Sequence, residues 1–310
     1  MNLSILLQKI RHLNFSLKIK FSTLLTPVKR LNYLNKALEK YQFLSPEKFI
    51  KVVNALDGNL LINNFQHHSF LGFSSGRDKL GVKRLVKVNG KLYVEKIYLT
   101  NSESLGRSKC FHLNFSNRIN SLKVQNLYRV YSGDFLTALY FKYISNCMEL
   151  SNFDILKKYN GFLVDIPLSS NILENNRRLN KGVDNIRKFL KNEELLNFNK
   201  YYSYMIKNTP VVVCHGDFNK KNIIGDFVID FDDFGYSYIH SDISYYLSVE
   251  ISKGRLGLKD VSTLIHELEI ADDHVVTLQI FIFLAYRYNR SVKAFLLKEY
   301  YNEYSHRWFL

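Results

Sequence analysis

The stretch that decides the fold begins Val211-Val212-Val213-Cys214-His215-Gly216-Asp217. It reaches Asn222 five residues later and closes with Ile223-Ile224-Gly225-Asp226-Phe227-Val228-Ile229-Asp230-Phe231-Asp232-Asp233. Four consecutive apolar residues bounded by a turn signal read as a short buried strand. His215-Gly216-Asp217 leaves the end of that strand directly. Gly225-Asp226 between two apolar pairs reads as a tight hairpin, because Gly and Asp supply the turn conformations that other residues resist. Asn222 and Asp230 therefore fall at the two ends of one hairpin, on adjacent strands.

Two acids and an amide gathered this way suit the transfer of a phosphoryl group. That reaction asks little covalent chemistry of a protein; it asks for an oriented nucleophile and a divalent cation held by hard oxygen ligands. Asp217 would accept a hydrogen bond from an attacking hydroxyl and take its proton late. Asn222 would offer a neutral carbonyl oxygen to Mg²⁺, and Asp230 a carboxylate to the same ion. Each of these residues is also a common turn or cap residue; the three together at this spacing are what carry the argument. His215 reads as a packing residue that fixes the loop, and Asp233 as support for it.

The segment resembles the aminoglycoside phosphotransferase and choline kinase families, distant relatives of the protein kinases. Their signature is His-Gly-Asp with Asn five residues on, followed by Ile-Asp-x-x-Asp. A further match is Asp242 in Ser241-Asp242-Ile243-Ser244-Tyr245. The resemblance spans roughly residues 211 to 247. It implies ATP and Mg²⁺ as cofactors, a hydroxyl compound as acceptor, and for Asp242 the task of orienting the backbone of the 215–217 loop. It also implies an α+β, bilobal, protein kinase-like fold: a small antiparallel sheet lobe followed by a mainly helical lobe.

The first half of the chain fits that frame. Val82 to Val88 alternates apolar and basic residues, Asn89-Gly90 is a strong two-residue turn, and Lys91 to Leu99 reads as the return strand. Arg129–Tyr131 and Leu136–Ile144 read as a second hairpin. By the resemblance, Lys96 is the strand lysine that meets the α- and β-phosphates, with Lys91 and Lys87 as runners-up. Ser75 and Gly76, in the polar turn Ser74 to Asp78, stand for the loop that covers phosphate. Glu103 is the candidate partner of Lys96, against a plainer reading as a surface or cap acid. Phe141 and Tyr143 mark the hinge, where backbone groups would meet adenine. Beyond residue 150 the pattern predicts helices near 170–200, 242–253, 260–270 and 273–305. The domain expectation is a basic helical extension over 1–64, a nucleotide-binding sheet lobe over 65–145 and a catalytic, acceptor-binding lobe over 146–310.

The 310 residues carry a net charge of +15, which favours anionic partners. Cys110, Cys147 and Cys214 show neither a disulfide framework nor zinc spacing, and no apolar run is long enough to span a bilayer. The expected location is cytoplasmic, peripheral at the inner membrane face if the basic stretch 1–31 lies on anionic lipid. The alternative for that stretch is an amphipathic helix packed on the sheet lobe. The charge balance points to an anionic or lipid-linked acceptor, such as a sugar or glycolipid. No nucleic-acid module is recognisable. The competing class is a catalytically silent kinase-like nucleotide-binding or scaffold protein; the intact acids speak against it.

Overall fold

The computed structural model describes residues 66–73, 82–100, 102–118, 122–133, 136–145, 148–160, 167–168, 176–288 and 292–308. The expected helical extension over 1–64, the membrane contact through 1–31, and the turn with Ser75 and Gly76 lie outside the described residues. The chain divides into two compact units. The first holds the described residues up to 112 together with those of 125–145, and the second holds the described residues of 113–124 together with those from 148 on.

The first unit is a five-stranded antiparallel sheet. Its strands are β1 (Gln66–Phe73), β2 (Val82–Val88), β3 (Lys91–Leu99), β5 (Leu127–Ser132) and β6 (Leu136–Lys142), in the order β1-β2-β3-β6-β5. The β2–β3 turn is the expected Asn89-Gly90 pair, both at positive φ (48° and 79°), the conformation that matches the strand twist. On one face, Tyr98, Leu139 and Phe141 pack with Leu105 of helix α1 (Glu103–Asn114). Arg84, Glu95 and Tyr140 stand in register on neighbouring strands and are almost fully buried. Arg84 grips Glu95 through Nε and Nη2, and the Tyr140 hydroxyl donates to Glu95 Oε1 at 2.7 Å. Burial and the Glu95 carboxylate push the Tyr140 phenol far above its ordinary value.

The second unit is mainly helical: α2 (Asn152–Asn160), α3 (Arg177–Phe189), α4 (Asn192–Asn208), α5 (Ser241–Ser252), α6 (Leu258–Glu267), α7 (Asp273–Tyr286) and α8 (Ala294–Tyr304). Every residue from Val275 to Ala285 is buried, so α7 is apolar on all sides, as a central helix must be. Gly182 lets α3 lie directly on α7, since a Cβ there would sit 2.3 Å from the Ile282 carbonyl oxygen. Among the described residues the unit also carries two three-stranded sheets. One joins β7 (Pro167–Leu168), β8 (Val211–Cys214) and β11 (Gly235–Tyr238). The other joins β4 (Lys123–Val124), β9 (Ile223–Ile224) and β10 (Phe227–Val228).

Three boundaries differ from the sequence expectation. The described part of the helix expected near 170–200 is two helices, broken where Leu190 and Lys191 turn extended and Asn192 takes φ 50°. The helix over 273–305 is also two; α7 ends at the Arg287 cap and α8 starts after an extended Lys293. The described residues of 113–124, expected in the sheet lobe, fall in the second unit. There β4 pairs in parallel with β10, Lys123 bonds to Asp226 through backbone and side chain, and Phe115 meets Phe234.

Candidate active site

β8 carries the chain into His215-Gly216-Asp217, and the loop is pinned on all sides. Asp242, in the first turn of α5 and only 3 % exposed, accepts from the His215 N–H at 2.6 Å and the Gly216 N–H at 3.0 Å. The Tyr159 hydroxyl of α2 donates to the same carboxylate, and burial with that carboxylate raises the Tyr159 phenol well above its usual range. Gly216 takes φ 79°, and a Cβ there would lie 2.1 Å from the Asp233 carbonyl oxygen. The glycine is required by both conformation and contact.

His215 is spent on structure. Its Nδ1 accepts from the Asp217 N–H at 3.2 Å, which leaves the proton on Nε2, donated to the Ile229 carbonyl at 2.9 Å. The imidazole thus ties the 215–217 loop to the end of the β9–β10 hairpin. The Asn222 carbonyl accepts from the Ile229 N–H at 2.9 Å, so Asn222 and the residue preceding Asp230 are hydrogen-bonded neighbours. Asn222, 7 % exposed, turns its amide nitrogen to Asp217, reaching the backbone carbonyl at 2.8 Å and Oδ2 at 3.1 Å. That orientation directs the amide oxygen away from Asp217. Asp230 holds a left-handed conformation, φ 69° and ψ 58°. Asp tolerates this region better than most residues, but such outliers collect at functional sites. The 3₁₀ turn Phe231–Asp233 follows at once.

One residue of the cluster was invisible in the sequence. Arg178, second in α3, places Nη2 2.9 Å from Asp217 Oδ1 and 2.7 Å from Asp233 Oδ2. Its guanidinium lies 4.7 Å over the Tyr245 ring. Arg177 precedes it and is exposed, and nothing local distinguishes the two arginines.

In the first unit, Lys96 is 6 % exposed and sits 5.5 Å from the Phe141 ring centre. Glu103 is not brought to Lys96; it is exposed at the start of α1 and pairs with Arg107 one turn on, at 2.8 Å. The group of α1 that feels Lys96 is His112, whose pKa is pushed down to about 3 by burial and by the lysine charge. Phe141 is bound in the sheet opposite Val94 and Leu127, and the Tyr143 N–H donates to the Leu92 carbonyl at 3.2 Å.

Comparison with known proteins bears on this geometry. Residues 169–260 match the phosphotransferase enzyme family. The match contains Arg178, the 215–217 loop, Asn222, Asp230 and Asp242. No curated protein matches the chain. Among solved structures, aminoglycoside phosphotransferase APH(4)-Ia aligns over 86 % of this chain and 100 % of its own, with a TM-score of 0.50 at 10 % identity. A thermostable mutant of that enzyme, in ternary complex with ADP and hygromycin B, aligns over 86 % and 96 % with a TM-score of 0.45 at 10 % identity. An aminoglycoside-3'-phosphotransferase of type VIII aligns over 76 % and 97 % with a TM-score of 0.44 at 11 % identity. The fold is protein kinase-like, an antiparallel sheet unit and a mainly helical unit. No helix of the described residues is long and apolar enough to cross a membrane.

Proposed function

We propose that the chain is an ATP-dependent phosphotransferase that moves the γ-phosphoryl group to a hydroxyl of a small-molecule, sugar or glycolipid acceptor. The observation that carries this reading is the hydrogen-bonded junction of Asp217, Asn222 and the Ile229–Asp230 corner, inside the segment that matches the phosphotransferase family.

Asp217 receives the acceptor hydroxyl. As the acceptor oxygen bonds to the γ-phosphorus and the bond to the ADP oxygen breaks, the hydroxyl proton passes to the Asp217 carboxylate and then to solvent. Oδ1 pairs with Arg178 and Oδ2 accepts from Asn222, so the carboxylate is oriented from both sides, and at 32 % exposure it remains accessible. Orientation of this kind supplies much of the rate in phosphoryl transfer.

Asn222 and Asp230 would hold Mg²⁺, which when bound neutralises phosphate charge. The donor set fits. Among the described residues no cluster of three or more His, Cys, Asp and Glu could hold a metal unaided. One carboxylate and one amide oxygen, completed by substrate phosphates and water, suit Mg²⁺, which is seldom caged by protein alone. Lys96 is the candidate for the α- and β-phosphates. The +15 net charge favours an acidic acceptor over a cationic one.

A screen of hydroxyl compounds with γ-labelled ATP and Mg²⁺ tests the proposal, with neutral sugars, sugar phosphates, lipid-linked sugars and aminoglycosides as its arms. Label transferred to one of these classes supports it. No transfer to any class, together with no Mg²⁺-dependent ATP hydrolysis, would overturn it.

A further inference from the structure

Arg178 joins two loops that the backbone brings side by side. Asp217 stands on the loop after β8, and Asp233 ends the turn that begins at Asp230. One guanidinium nitrogen reaches both carboxylates, at 2.9 and 2.7 Å. The same loops touch at Gly216 and Asp233, so there is little slack between them. A shift in either aspartate moves its whole loop.

The arginine itself is held in place. Asn176 caps α3, accepting from the Leu179 N–H at 3.2 Å while its own amide donates to Ser237 Oγ at 2.8 Å. Four residues beyond Arg178, Gly182 seats the helix on the α7 backbone. Tyr245 of α5 forms the platform under the guanidinium. A solvated ion pair contributes little, partly because two long side chains must be ordered to make it; here that ordering is done by the helix cap and the ring. A lysine ammonium can also donate to two carboxylates, but it lacks the flat face that lies over Tyr245 and the reach of the guanidinium, so lysine is an imperfect substitute.

Resting on the phosphotransferase reading, we propose that Arg178 is a positioning residue for phosphoryl transfer. It locks the Asp217 loop to the Asp230–Asp233 turn, and so sets the spacing between the carboxylate that orients the acceptor hydroxyl and the carboxylate that holds the metal. In this role it acts through Asp217 and Asp233 rather than on the acceptor or the nucleotide. Its effect falls on the rate of the chemical step, because the geometry it controls matters most as bonds form and break.

The test uses the full chain and Mg²⁺-ATP, with water as the acceptor and ADP release as the signal. Arg178→Gln should lower kcat by about 100-fold, the cost of a roughly 1 Å misplacement, and leave the KM for Mg²⁺-ATP within about twofold. Arg178→Lys should recover part of the loss, because the charge returns without the flat face that rests on Tyr245. Asp233→Asn, which cuts one arm and keeps the Arg178–Asp217 pair, should fall between the wild type and Arg178→Gln. Should Arg178→Gln not fold, the lysine and Asp233 variants decide. The proposal is overturned if these variants keep wild-type kcat. It is overturned equally if kcat falls only in step with the folded fraction, which would make Arg178 a structural brace. A wild type that shows no Mg²⁺-dependent turnover contradicts the functional reading and the proposal together. An active wild type with an indifferent Arg178 contradicts the proposal alone.

Discussion

Asp242→Asn should destabilise the helical unit without changing its shape. The carboxylate accepts three hydrogen bonds in a buried site: from the His215 N–H and the Tyr159 hydroxyl on Oδ2, and from the Gly216 N–H on Oδ1. An amide of the same outline can satisfy at most one side. In its better orientation the oxygen keeps His215 and Tyr159, and the NH₂ faces the Gly216 N–H. One buried donor is then unsatisfied, at about 1–3 kcal/mol, and two bonds lose the charge that roughly doubled them. The sum is about 3 kcal/mol. For a unit of this size that corresponds to a fall in Tm of roughly 6–12 °C. Thermal and urea unfolding followed by circular dichroism would measure it. Tyr159→Phe serves as a partial control, since it removes one donor and leaves the two loop bonds intact. A Tm for Asp242→Asn within about 2 °C of the wild type would refute the claim that this carboxylate holds the 215–217 loop.

Further expectations concern the rest of the framework. Gly216→Ala should abolish turnover and lower stability, because the methyl group would meet the Asp233 backbone at a positive φ; unfolding and ADP-release assays report both. Gly182→Ala should cost roughly 1–3 kcal/mol by forcing α3 off α7, read as a lower urea midpoint. Arg84→Met should cost about 3–5 kcal/mol by stranding the buried Glu95, while Arg84→Met, Glu95→Leu and Tyr140→Phe combined should recover most of it. Stability should also fall in acid through His112. Its pKa is near 3 when folded and about 6.5 when unfolded, so between these values the unfolded chain binds the extra proton and stability drops as pH falls. From pH 6.5 to 5 the loss is about 1.6 kcal/mol, the slope rising from half of about 1.36 kcal/mol per unit at pH 6.5 toward its full value. His112→Gln should flatten that slope in urea titrations, and an unchanged slope would show that the imidazole is not the group responsible.

The parts of the fold legible in the sequence were those with local chemical causes. Asn89-Gly90 has one good conformation between two alternating runs, and the structure turns there. The short apolar pairs around Gly225-Asp226 similarly define β9 and β10. Asp217, Asn222 and the Ile229–Asp230 corner share one small region because only the length of that hairpin separates them. What escaped depends on distant partners. Arg178 acquires its role from Asp217, Asp233 and Tyr245, none of which is near it in the chain. The resemblance pairs Glu103 with Lys96, but a helix begins at Glu103, and Arg107 one turn on is the cation it meets. The break between α3 and α4 is made by the extended Leu190 and Lys191 and the left-handed Asn192, backbone changes that helical periodicity cannot register. Lys123 and Val124 join the second unit through a two-residue parallel pairing and an ion pair to Asp226, too short to leave a pattern.

The most direct test is the rate of Mg²⁺-dependent ADP release by the wild type and by Asp217→Asn, with nucleotide affinity measured in parallel by calorimetry. The account predicts that the wild type turns over and that Asp217→Asn binds Mg²⁺-ATP with similar affinity but loses at least about 100-fold in rate. Equal rates in the two proteins would contradict it.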